Sequence, residues 1–193
     1  MSLGKIVNNI KPTRLISIDP ASHSLAWVVV DLDKDSFEIV EHGKINISGT
    51  KEVSEKFKII NKELHDLCVR LSPDKGVIEQ SVYIQNFQSS RIISYIIGFS
   101  WGVMMRSCHD VCDVGPLIWK NKIGYKNVSA LEKSKLEKEF GKKGLQTKLK
   151  NERKDRVKVI LDKKINYSVD DDDINDAIGI ALWYSLSHGF RTI

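Results

Sequence analysis

Apolar and polar positions along this chain recur with periods that change from segment to segment. LISI at 15 to 18 and LAWVVVDL at 25 to 32 are apolar runs separated by DPASHS, whose proline and small polar residues make a tight turn. Two strands are predicted there. DKDS marks the next turn and FEIVEHGKINI alternates as a third strand, so Leu15 to Ile47 reads as an antiparallel three-stranded meander. From Lys51 to Leu71 the apolar residues Val53, Phe57, Ile60, Leu64, Leu67 and Leu71 recur at steps of four and three, the spacing of one helix face. SPDKG ends that helix. GVIEQ at 76 to 80 is then a short strand reached by a crossover, which implies parallel pairing with an earlier strand.

After the polar SVYIQNFQSS, residues 91 to 107 form an apolar helix with Gly98 and Gly102 four apart, a spacing that lets another element approach closely. Its apolar face serves core or dimer, and periodicity does not separate the two. DVCDVG reads as a fifth strand leading through Pro116 into LIWKNKIGY. Residues 126 to 150 are lysine-rich with a weak apolar pattern, an exposed helical or mobile excursion, and 152 to 165 form a basic helix with Val157, Ile160 and Leu161 inward. A last helix follows DDDD at 170 to 173. The expected fold is α/β: a mixed five-stranded sheet, the meander plus two parallel strands, flanked by helices. At 193 residues the chain is expected to be one domain.

Composition adds three points. The longest apolar run, Ile92 to Met105, is fourteen residues, short of the roughly 20 that span a bilayer. With an N-terminal MSLGKIVNNIKPTR that carries no signal-like apolar stretch, a cytosolic protein without membrane partners is expected. The three cysteines cannot all pair and are expected as packed thiols; Cys108, His109 and Cys112 fall short of the four ligands of a structural zinc. The charge is uneven: Lys120 to Lys164 holds sixteen Lys and Arg against six Asp and Glu, a local +10 in a chain of net +5. A basic region on one domain is the footprint of a phosphate-backbone binder.

The acids are placed differently. Five aspartates fall between 170 and 176, just ahead of apolar sequence. Asp170 to Asp172 are helix caps by position. Asp173 and Asp176 lie three apart on one side of the helix, and Asp176 borders an apolar segment where an unpaired carboxylate is costly, so a cation is expected beside the pair. Asp19 ends the first strand, and Glu79 ends a strand that should be its parallel neighbour. Ligands collect at strand ends in such sheets, and oxygen-only clusters suit Mg²⁺ or Mn²⁺. Two such ions about 3.5 to 4 Å apart can activate water and stabilise the leaving oxygen of a phosphodiester.

In order and spacing, SIDPASHSLAWVVVD, VIEQSVYIQN and DDDINDAIGIAL resemble the RuvC family of Holliday junction resolvases, of the RNase H-like superfamily. The resemblance covers most of the chain. It implies a metal-dependent homodimeric endonuclease that nicks opposed strands of a four-way DNA junction. Asp19, Glu79, Asp173 and Asp176 would be its acidic catalytic and metal-binding residues, and the resemblance implies two Mg²⁺ or Mn²⁺ ions per active site. Lys120 and Lys154 match basic positions of the family, and Lys122, Arg153, Arg156 and Lys158 would extend the DNA-facing surface. The family's aromatic after Glu-Gln corresponds to Tyr83 or Phe87, displaced by one place or more. Its usual glycine two residues after the first Asp is Ala21 here. The departures point to a divergent member carried by a phage or another mobile element. Competing expectations are a nuclease for RNA/DNA hybrids or transposon ends, a non-catalytic junction-binding protein, and a sugar-kinase-like ATPase, which the chain length disfavours.

Overall fold

The computed structural model describes residues 11 to 81 and 87 to 190, apart from the side chains at 87, 89, 142, 143 and 150. Strands β1 (Thr13–Pro20), β2 (Ser24–Leu32) and β3 (Phe37–Asn46) form the antiparallel meander; helix α1 (Val53–Leu71) leads to β4 (Lys75–Glu79), and α2 (Phe87–Met104) leads to β5 (Asp110–Val114). The sheet order is β3-β2-β1-β4-β5, with β4 parallel to both β1 and β5. Helices α3 (Pro116–Lys122), α4 (Ala130–Ile165) and α5 (Asp172–Ser187) complete the chain. This is the mixed five-stranded sheet that the sequence predicts.

Alternation along β1 divides the core into two layers. Ile16 and Ile18 join Ile60, Leu64 and Leu67 of α1 and Ile96 and Met104 of α2, whereas Leu15 joins Ala26, Val28, Val30 and the apolar side of α5. With both faces covered, β2 is buried at every position but Asp31, which explains its nearly unbroken apolar run. In the α5 layer the buried Ser17 hydroxyl donates to the Ala177 carbonyl at 2.8 Å, fastening α5 to the strand that carries Asp19.

Two expectations need correction. Among the described residues of this chain no element packs on Gly98 or Gly102: both are exposed, and a Cβ at either would have no heavy atom within 4 Å. Because α2 is apolar nearly all round, its periodicity does not identify the side turned to the sheet. Residues 152 to 165 are likewise not a separate helix. They finish α4, which begins in a capping box at Ser129 and Glu132 and breaks at Gly141 (φ 68°, ψ 170°). That left-handed φ is one glycine adopts without strain. The chain folds back there: Glu132 pairs with Arg156 at 2.7 Å, and Leu145 and Leu149 are buried. The excursion is therefore a helical hairpin. Among the described residues no helix is long and apolar enough to cross a membrane.

Candidate active site

Parallel pairing of β1 with β4 runs through Ile18 opposite Ile78, so Asp19 and Glu79 occupy the next rung at the strand ends. Both lie on the α5 side of the sheet, by alternation from Ser17 and Val77. The Asp19 carboxyl is hydrogen-bonded to Glu79, and its pKa is raised well above the usual carboxylate range by burial first, then by Glu79, Asp176 and Asp173. Burial and acidic neighbours both favour the protonated form of Asp19. Glu79 also accepts from the Trp119 indole nitrogen at 2.7 Å. Trp119 is fully buried and lies against Gly179, where a Cβ would approach its ring to 2.6 Å.

Helix α5 brings the other two acids. Asp171 is its N-cap, accepting from the backbone N–H groups of Asp173 at 3.0 Å and Ile174 at 3.2 Å. Asn175, 1% exposed, locks the preceding loop by exchanging hydrogen bonds with both backbone groups of Val169, at 3.0 and 2.8 Å. Asp176 is pushed up to about 6, by burial against the opposing pull of Lys120, with Glu79 and Asp173 adding to the rise. Lys120 Nζ stands 3.4 Å from Asp176 and 4.7 Å from the centre of the Trp119 ring.

The aspartate run has a cation for each member. Lys158 pairs with Asp170 at 2.9 Å, Lys154 with Asp172, and Lys120 with Asp176. Lys44 of β3 bridges Asp171 at 2.8 Å and Asp173 at 2.7 Å. Of the expected caps, Asp171 caps the helix while Asp170 and Asp172 reach α4. Lys44, Trp119, Ser17 and Asn175 were not singled out by sequence reasoning. Lys44 reaches the site because Asp19 pairs with Ala26 and Ala26 with Lys44, one row across three strands.

The structure brings Asp19, Glu79, Asp173, Asp176, Lys120 and Lys154 to one end of the sheet. Lys122 and Arg153 are exposed nearby on α3 and α4. Arg156 is engaged in the hairpin, donating to the Lys126 carbonyl at 2.7 Å and to Glu132 and Glu152. Tyr83 and the side chain of Phe87 lie outside the described residues.

The donor set is chemically suited to a hard divalent ion: four carboxyls gathered at one sheet end, of which Asp19 and Asp176 are raised above the usual carboxylate range by burial and by their acidic neighbours. Among the described residues no three such side chains already stand in ligating geometry, since Lys44 and Lys120 hold Asp173 and Asp176. A bound ion would take over the neutralising role of those ammonium groups.

No protein-family model matches the chain. The crossover junction endodeoxyribonuclease RuvC of Magnetococcus marinus is 29% identical over 92 residues, which are 48% of this chain and 51% of that protein. The RuvC of Alkaliphilus metalliredigens is 21% identical over 182 residues, 93% of this chain and 96% of its own. A solved structure of Thermus thermophilus RuvC in complex with Holliday junction substrate superposes with a TM-score of 0.67 at 13% identity, over 94% of this chain and 100% of that one. The chain is RuvC-like. Three of the curated relatives it matches are spanned over only 38% to 54% of their length. The shared RuvC fold is the RNase H-like mixed sheet described above, and in this RuvC-like chain the carboxyl cluster occupies the end of its two central strands.

Proposed function

We propose that this RuvC-like chain is a metal-dependent endonuclease that binds four-way DNA junctions as a homodimer in the cytoplasm and nicks two opposed strands. The observation that carries this reading is the placement of Asp19 and Glu79 on one rung at the ends of β1 and β4, tied to α5 and its acids through Trp119, which donates to Glu79, and Lys120, which pairs with Asp176. Asp19, Glu79, Asp173 and Asp176 would hold two Mg²⁺ or Mn²⁺ ions. When bound, such ions supply an activated water and stabilise the leaving oxygen of the phosphodiester.

The protein's own groups set the stage for that chemistry. Trp119 holds one Glu79 oxygen and thereby orients the other towards Asp19. Asp19 and Asp176, both raised above the usual carboxylate range, would have to be deprotonated to hold a cation, so its binding would be favoured as pH rises. Lys120 and Lys154, released from Asp176 and Asp172, can turn to the phosphates of the scissile strand. Lys122, Arg153 and Lys158 extend that basic surface along α3 and α4. A pair of nicks requires two sites related by a two-fold axis. Tyr95 and Met105 at the outer side of the α2 segment, 50% and 63% exposed, give apolar area for such a contact.

The test uses an immobile synthetic four-way junction with each strand labelled in turn, beside linear duplex and an RNA/DNA hybrid, with Mg²⁺ present. Symmetric nicks in opposed junction strands, absent from the duplex, are expected. Cleavage of the hybrid alone, or junction binding with no cut, would overturn the reading.

Lys44 gives a prediction that does not depend on DNA. Its ammonium occupies Asp173, so Lys44→Met removes a positive charge from the ion's immediate surroundings. Divalent binding tightens by about tenfold, a modest share of the Coulomb interaction at such range. Calorimetric titration of the DNA-free protein with Mn²⁺ measures it, and unchanged or weaker binding would show that Lys44 does not compete with the ion.

A further inference from the structure

Helix α3 carries part of the candidate active site: Trp119 donates to Glu79, and Lys120 reaches Asp176. Just ahead of them it exposes two large aliphatic side chains in succession, Leu117 at 67% and Ile118 at 60%, with Leu117 three residues from Lys120 and so beside it on the helix surface. Neither belongs to the two apolar layers of the core. The placement, more than the exposure, is informative, because single exposed leucines are ordinary. At 1.5 Å of rise per residue, both lie within roughly 5 Å along the axis of Lys120.

We propose that Leu117 and Ile118 form an apolar wedge that contacts the bases beside the scissile phosphate and holds their stack open at the branch point. The inference rests on the junction-nuclease reading and adds the part of the substrate that α3 meets. A phosphate brought to the carboxyls and Lys120 carries its base only one sugar away, in reach of the first turn of α3. A protein partner seated on the pair would stand where that strand must pass. Lys120 and Lys122 continue the same short helix with positive charge, which suits a backbone flanking an apolar contact. Leucine and isoleucine are among the side chains that enter base steps and unstack them. The cost of opening is lowest where pairing is already interrupted, so a branch point is the natural place for such a wedge.

The experiment compares the parent protein with Leu117→Ser/Ile118→Ser on junctions carrying 2-aminopurine next to the cut site, in EDTA. The parent raises the fluorescence severalfold, and the double variant leaves it near the level of the free junction. With Mg²⁺, the variant cuts about tenfold more slowly, and cutting recovers on a junction with two unpaired bases at the crossover. A loss of folding alone would not be rescued by that substrate. Equal fluorescence with both proteins would overturn the wedge. So would a variant that opens the junction normally but sediments as a smaller species, which would assign the pair to a second copy of the chain. A parent protein that neither binds nor opens any junction would overturn the junction reading itself, and the wedge with it.

Discussion

Asp176→Asn yields a protein that binds four-way junctions as tightly as the parent and cuts them at least about a hundredfold more slowly, the scale of losing one group aimed at the reacting charge. The change keeps volume and removes charge. Binding persists because the basic groups that face phosphate are untouched, and one fewer carboxylate near DNA cannot weaken it. Gel-shift titration in EDTA and single-turnover cutting in Mg²⁺ separate the two effects; parallel loss of both would assign Asp176 to binding or folding instead.

The same substitution changes the pH dependence of stability. Burial pushes Asp176 up to about 6, and Asp19 is raised as well. From the ordinary carboxylate range up to those raised values, the native protein binds more protons than the unfolded chain. Stability from this source is therefore complete below the unfolded pKa and is lost as pH rises through about 6, the folded value of Asp176. Thermal melts of the metal-free parent should show that decline between pH 4 and 7, roughly the window bounded by those values. Asp176→Asn reduces it, and divalent cation reverses it in the parent.

Trp119→Ala has the largest expected effect on folding. Its ring is fully buried, and truncation of such a side chain costs about 3 to 5 kcal/mol. In a protein of this size that lowers Tm by roughly 6 to 20 °C. Trp119→Phe keeps most of the packing but removes the hydrogen bond to Glu79, so it separates the two roles. It should melt close to the parent and cut more slowly. If the phenylalanine protein cuts at the parental rate, the indole has no part in orienting Glu79. The tight space over Gly179 explains why this ring has one position: a methyl group there would meet it at 2.6 Å.

The acids were legible in the sequence because each sits at a place where local pattern speaks: Asp19 and Glu79 at the ends of apolar runs, Asp173 and Asp176 at an i, i+3 spacing. Lys44 was not. Counting outward from Leu32 opposite Phe37 places Lys44 opposite Leu25, on the α1 and α2 side of the sheet. The bulge between Val29 and Val30 shifts the register by one, so Lys44 lies opposite Ala26 instead, and on the α5 side. No local pattern announced that bulge. Trp119 was hidden for another reason: a tryptophan in a short helix reads as core, which it is, and its hydrogen bond to Glu79 comes from packing between elements 40 residues apart. The hairpin at Gly141 escaped periodicity because its buried contacts, Leu145 and Leu149, are few among many lysines. Gly98 and Gly102 lie on the outer side of α2: a four-residue spacing fits an outer surface as well as one packed within the chain.

Attachment of α5 to β1 has a consequence for synthesis. The first strand supplies Asp19, and its partners Asp173 and Asp176 leave the ribosome last among the site's acids. A nascent chain that already holds the sheet still lacks two of the four acids proposed to hold metal. It also leaves Ala26, Val28 and Val30 uncovered until α5 arrives, so translation that stops short of this helix should yield an aggregation-prone fragment with an incomplete carboxyl cluster.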